Sequence, residues 1–140
     1  DRINYNLEIK RRKEWDLSHH PDHRTFADLV IQQVRDAGIA QHTTIQCFDI
    51  ETLQYIRSKY ADVPLVYLIE NEHAPQFNID QLGFVPEIYS PHYKLVDRLL
   101  VDFCESKKMK RHNMNQYSAD RIKNQRTKIL PSANRKRCWV

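Results

Sequence analysis

Glycine is nearly absent. Gly38 and Gly83 are the only two in 140 residues, where average usage gives about ten. Loops that cradle phosphate need clustered glycines, so that backbone N–H groups can approach the anion. Two isolated glycines therefore exclude dinucleotide (GxGxxG) and Walker A sites. No apolar run approaches the roughly 18 residues of a membrane-spanning helix. The opening Asp1-Arg2-Ile3-Asn4 lacks the apolar stretch of a secretory signal. It also lacks an initiator Met, which suggests a chain cut from something longer. Cysteine is sparse and odd in number: Cys47, Cys104 and Cys138, with no CxxC. Neither a disulfide framework nor a four-cysteine zinc site is supported.

What remains is enough for one domain. Hydrophobic residues make up 41% and charged residues 29%, so a core is expected and disorder throughout is not. The formal charge of +4 hides a split. Residues 1–105 hold 11 Lys and Arg against 17 Asp and Glu, a net of −6. Residues 106–140 hold 11 against Asp120 alone, a net of +10. Such a tail could meet nucleic acid or acidic lipid, or be an unfolded extension. It carries only Tyr117 and Trp139 as stacking aromatics and matches no nucleic-acid-binding fold.

Periodicity organises the body. Asn4 to Lys10 alternates, with Tyr5, Leu7 and Ile9 on one side, and predicts a strand. Residues 11–23 are polar, contain Pro21 and read as a loop. The spacing of Phe26, Leu29, Val30 and Val34 predicts a helix from Arg24 to Ala37, with Gly38 as its stop. Thr43–Phe48 is a second strand. Asp49 caps a helix striped with Ile50, Leu53, Ile56 and Tyr60. The apolar run Val63–Ile69 reads as a strand buried on both faces. A short helix or turn over Phe77–Leu82 and a strand over Val85–Tyr89 follow. A third helix, Lys94–Lys108, carries Leu95, Val96, Leu99, Leu100, Phe103 and Cys104. Beyond Met109 the pattern stops. Strands alternating with helices predict an α/β fold of parallel βα units, either an open layer or part of a barrel.

Several side chains could do chemistry at the strand ends. Glu8 and Lys10 are two apart, so they share a face. A carboxylate beside an ammonium can hold a divalent cation and neutralise a phosphate oxygen; an ordinary ion pair is the simpler reading. Gln46 and Phe48 end the second strand. Between them Cys47 reads as a buried apolar residue, and Asp49 as a cap rather than a base. His92, in Ser90-Pro91-His92-Tyr93, ends the fourth strand, as a site residue or as a loop cap. His19, His20, Asp22 and His23 suggest metal ligands, but Pro21 breaks the spacing, and a loop entering a helix is the simpler reading. Trp15 in that loop could line a pocket mouth.

Taken together, Asn6-Leu7-Glu8-Ile9-Lys10, Ile45-Gln46-Cys47-Phe48-Asp49 with Leu53, Leu65-Val66-Tyr67-Leu68 and Ser90-Pro91-His92-Tyr93 resemble the middle of the glycerophosphodiester phosphodiesterase family. The resemblance covers roughly residues 3–110. Cys47 departs from the usual Ser. The resemblance implies about half of a TIM-type (βα)8 barrel in residues 1–110. It implies hydrolysis of glycerophosphodiesters, in lipid and glycerol metabolism, to glycerol 3-phosphate and an alcohol, with a divalent cation, Ca or Mg. By it Glu8 binds the metal and Lys10 the phosphate as a catalytic group, and Gln46, Phe48 and His92 line the substrate rim. The family's upstream His-Arg and Glu-x-Asp motifs, which supply its acid/base histidines and most metal ligands, have no counterpart here. The cation site is thus expected to be incompletely liganded, and this chain alone to lack useful turnover. Open strand edges and an uncovered apolar face predict self-association. The alternative function is a small α/β nucleic-acid-binding protein using the basic tail.

Residues 111–140 match no closing strand of that family. Read one base later, codons for Arg111-His112-Asn113-Met114-Asn115 can give Val-Ile-Thr, TGA, Thr. A family-like Val-Ile-x-Trp-Thr differs by one base. The tail is therefore read as disordered or as a shifted reading frame, and the coding DNA read in all frames tests the latter.

Overall fold

A computed structural model describes residues 3–111 of the chain. The expectations for residues 112–140, including the shifted frame and nucleic-acid binding by the tail, lie outside the described residues. Five strands form one sheet: β1 (Tyr5–Glu8), β2 (Thr43–Cys47), β3 (Leu65–Ile69), β4 (Ile88–Pro91) and β5 (Lys110–Arg111). Every neighbouring pair is parallel, and the spatial order is the chain order. Between them run α1 (His23–Asp36), α2 (Ile50–Lys59), α3 (Pro75–Leu82) and α4 (Arg98–Ser106). A doubly wound sheet reverses its strand order at a switch point. This one never reverses, which is the winding of a (βα)8 barrel. The described residues form an arc of such a barrel.

Alternation along the strands sends side chains to two places. Ile45, Cys47, Leu65, Tyr67, Ile69 and Tyr89 pack against Phe26, Val30, Leu53, Ile56 and Leu82 of the helices. Each fully buried aliphatic side chain there contributes about 1.5–3 kcal/mol. The opposite face holds a small separate cluster, Val66, Leu68 and Ile88. Around it this face is polar, with Thr44 and Gln46 half-buried and Ser90 buried.

Helix ends follow local chemistry. Asp22 caps α1 by accepting from the N–H groups of Arg24 and Thr25, so the helix starts one residue earlier than predicted. Gly38 lies at φ +68° just past its end. Phe26, Ala27, Val30, Ile31 and Val34 form the buried stripe of α1. Leu29 lies off it and is 52% exposed, against expectation. In α2 the buried positions are Thr52, Leu53 and Ile56, with Ile50 and Tyr60 partly buried. β4 runs three residues later at its start than predicted, because Pro86 has no N–H to give a ladder.

The predicted helix over Lys94–Lys108 is broken. A 3-10 turn spans Tyr93–Leu95, and Asp97 then caps α4 by accepting from Leu100 N–H at 2.8 Å. Leu100 and Cys104 are buried, whereas Leu99 is 78% exposed. Past α4, Lys108 takes φ +57° and turns the chain into β5, a strand too short to show any pattern.

Candidate functional site

The C-terminal ends of parallel barrel strands are where functional side chains gather. At that rim, β1 and β2 are paired so that Glu8 stands opposite Gln46. Lys10 follows the strand on the same face, with Nζ 3.7 Å from Glu8 Oε2. The two side chains are 51% and 25% exposed, in that order. Asn6 Nδ2 donates to Gln46 Oε1 at 2.7 Å, and Thr44 Oγ1 donates to Asn6 Oδ1 at 3.0 Å. Phe48, one step past β2, is partly exposed. A carboxylate, an ammonium and a carboxamide thus share one accessible patch. It offers donors to an anion and one carboxylate to a cation.

A buried arginine supports this rim from below. Arg11 directly follows Lys10, and its side chain is only 2% exposed. Its Nε and Nη2 donate to both oxygens of Asp16, at 3.1 and 2.6 Å. Its Nη1 donates to Asp49 Oδ2 at 2.9 Å and to Glu51 Oε2 at 2.6 Å. The end of β1 is thereby tied both to its own loop and to the start of α2. Asp16 foremost, then Glu51 and Asp49, raise the Arg11 pKa against the opposing effect of burial. In return, Asp16 is lowered first by Arg11, and Glu51 is held down to about 2 by Lys13 and then Arg11. In the sequence, Arg11 opens the polar stretch that reads as a loop. Its partners lie 5, 38 and 40 residues away, so no local pattern reveals them.

Cys47 and Asp49 take the structural roles expected of them. Burial pushes the Cys47 thiol up to about 12. Its Sγ donates to the carbonyl of Ile9 at 3.1 Å, which suits a buried structural thiol. Asp49 Oδ2 accepts from Thr52 N–H at 2.8 Å and caps α2.

Other candidates are not brought to the patch. His92 is half-buried just past β4 and stacks on Tyr93, with ring centroids 4.5 Å apart. Its Nδ1 accepts from Lys94 N–H. Three strand steps separate β4 from β1, about 14 Å at the usual spacing. The histidine loop does not converge either. His19 Nδ1 bonds with Ser18, and His20 Nδ1 with the carbonyl of Pro21. Asp22 is committed to capping α1. Trp15 is partly exposed and lies under the Arg12 guanidinium, 4.6 Å from it.

Divalent cations need about six to eight oxygen ligands, usually with several carboxylates. Among the described residues no three His, Cys, Asp or Glu side chains are grouped to hold a metal. Glu8 stands beside the Lys10 ammonium, and Glu70, the residue after β3, lies at the end of the third strand. The residues present do not by themselves fit a divalent cation.

No protein-family model and no curated protein matches the chain. Solved structures do. A protein from Silicibacter pomeroyi assigned to the glycerophosphoryl diester phosphodiesterases shares 18% identity at a TM-score of 0.65. The match covers 77% of this chain and 38% of that one. A glycerophosphodiester phosphodiesterase from Parabacteroides distasonis shares 19% identity at a TM-score of 0.57, over 87% and 49% of the two chains. A phosphodiesterase from Oleispira antarctica, in complex with the product sn-glycerol 3-phosphate, shares 15% identity at a TM-score of 0.59, over 88% and 48%. The chain spans less than half the length of each of these proteins. Over that span its fold, an arc of parallel βα units in sequential order, is that of the glycerophosphodiester phosphodiesterase structures.

Proposed function

We propose that the chain is the phosphate-meeting part of a glycerophosphodiester phosphodiesterase, a hydrolase that releases glycerol 3-phosphate and an alcohol. The observation that carries this reading is the Glu8–Lys10 pair at the rim of a barrel arc, the end where barrel enzymes place their chemistry. Lys10 neutralises a phosphate oxygen as a point charge. Glu8 is the carboxylate this chain contributes toward a Ca or Mg ion. Gln46, opposite Glu8, accepts from Asn6 through Oε1 and offers its Nε2 amide donor to a substrate oxygen. Phe48 borders the patch on β2, and His92 stands further round the same rim. The small-molecule substrate is thus a phosphodiester of glycerol.

The test is calorimetric titration with sn-glycerol 3-phosphate, comparing the chain with Lys10→Met. The expected result is saturable binding that weakens by about tenfold in the variant. Equal affinity in both would remove Lys10, and with it this reading. The nucleic-acid alternative depends on the basic tail, and no described residue adds to it.

A further inference from the structure

Both ring nitrogens of His20 are engaged in the loop between β1 and α1, and the side chain is only 11% exposed. Nε2 lies 3.1 Å from the backbone nitrogen of Arg12. A backbone N–H can only donate, so Nε2 accepts and carries no proton. Nδ1 lies 2.8 Å from the carbonyl oxygen of Pro21. A carbonyl can only accept, so Nδ1 carries the proton. The two partners together select one tautomer of the neutral ring. An imidazolium is a donor at both nitrogens, and its Nε2–H would point at the Arg12 N–H.

The surroundings do not remove this conflict. Asp16 Oδ1 stands 3.5 Å from Nδ1 and favours the charged ring. Both Asp16 oxygens, however, already accept from Arg11. Asp49 and Glu51, at the start of α2, are bonded to Arg11 as well. Arg11, Arg12 and, at the start of α1, His23 oppose a further positive charge. From α1, Phe26 presents an apolar ring, with centroids 5.5 Å apart. The loop is also closed against strain. Leu17 N–H donates to His20 O at 2.8 Å, while Leu17 holds a left-handed φ of +61°, which a Cβ disfavours.

We propose that His20 is a pH-sensitive latch. Neutral, it ties its loop to the end of β1 through the Arg12 N–H; protonated, it releases that bond. Histidine is the side chain that changes charge between about pH 5 and 8. Arg12 is two residues beyond Lys10, so release loosens the chain that carries the rim. The latch does not depend on the phosphodiesterase reading, because its bond is observed without any ligand.

The test is NMR of the full chain at pH 7.5 and pH 5. Nitrogen shifts of the His20 ring at pH 7.5 should show a protonated Nδ1 and a bare Nε2. Amide exchange at Arg12, corrected for the intrinsic pH dependence, should be about fivefold less protected at pH 5, the loss expected for one hydrogen bond. The β3 amides, Leu65–Ile69, should stay protected at both values. In His20→Leu, which has no acceptor, Arg12 should be poorly protected at both. A ring protonated at Nε2 at pH 7.5 would overturn the proposal. So would wild-type Arg12 protection that is equal at the two pH values, or a loss that β3 shares. Arg12 protection in His20→Leu that stays high, or still falls with pH, would overturn it too. If that variant does not fold, the wild-type tautomer and Arg12 profile decide.

Discussion

Gly38 and Lys108 occupy the same position in two copies of one helix ending. After α1, Gly38 N–H donates to Arg35 O and Ile39 N–H to Val34 O, at 3.0 and 3.2 Å. After α4, Lys108 N–H donates to Glu105 O and Met109 N–H to Cys104 O, both at 3.0 Å. Both turn residues are left-handed, at φ +68° and +57°. Glycine takes that conformation freely, while a residue with a Cβ is penalised by roughly 1–2 kcal/mol.

Two opposite effects follow from this shared geometry. Lys108→Gly should raise stability by about 1 kcal/mol, read as a higher urea midpoint at constant slope. Gly38→Ala should lower it by a similar amount. A Cβ at Gly38 meets nothing within 4 Å, so that loss reports backbone conformation alone. A destabilised Lys108→Gly would contradict the cap geometry.

Arg11→Met should leave Asp16, Asp49 and Glu51 crowded without their shared cation. A loss of about 2–3 kcal/mol is expected at neutral pH. The pH dependence has a definite sign. Glu51 falls from 4.5 unfolded to about 2 folded, and Asp16 is also lowered. A lowered carboxylate stabilises the fold fully above its unfolded pKa, and that contribution is lost as pH falls through the folded value. Wild-type stability should therefore drop between about pH 4.5 and pH 2. The variant should show a shallower drop, since Lys13 still acts on Glu51. Equal slopes in chemical-denaturation curves across that range would remove Arg11 from the account.

Turnover is a separate matter from binding. With no group of three ligating side chains among the described residues, the chain is expected to hydrolyse no glycerophosphocholine with Ca²⁺ or Mg²⁺ in a coupled assay for glycerol 3-phosphate. Clear metal-dependent release would show that the described residues suffice for chemistry.

The parts legible in the sequence are those governed by a short repeat. A period of two placed Glu8 and Lys10 on one face, and the apolar run through Leu65–Ile69 announced the most buried strand. Asp49 was readable as a cap because cap chemistry is local. Leu99 and Leu29 were misplaced because helical periodicity records spacing, not which arc of the helix the sheet covers. The break before α4 turns on Asp97, an acidic residue inside an otherwise continuous apolar pattern. Arg11 was invisible, since burying a guanidinium needs carboxylates that the chain brings from distant positions. The 3.7 Å between Lys10 and Glu8 was readable only as a shared face.

The claim that the β1–β2 rim meets a glycerol phosphate is tested most directly by residue-resolved NMR titration of the chain with sn-glycerol 3-phosphate. The account predicts saturable amide shifts at Glu8–Arg11 and Gln46–Phe48, with none at Lys94 or Leu99. Absence of saturable shifts on β1 and β2, or shifts confined to α3 and α4, would contradict it.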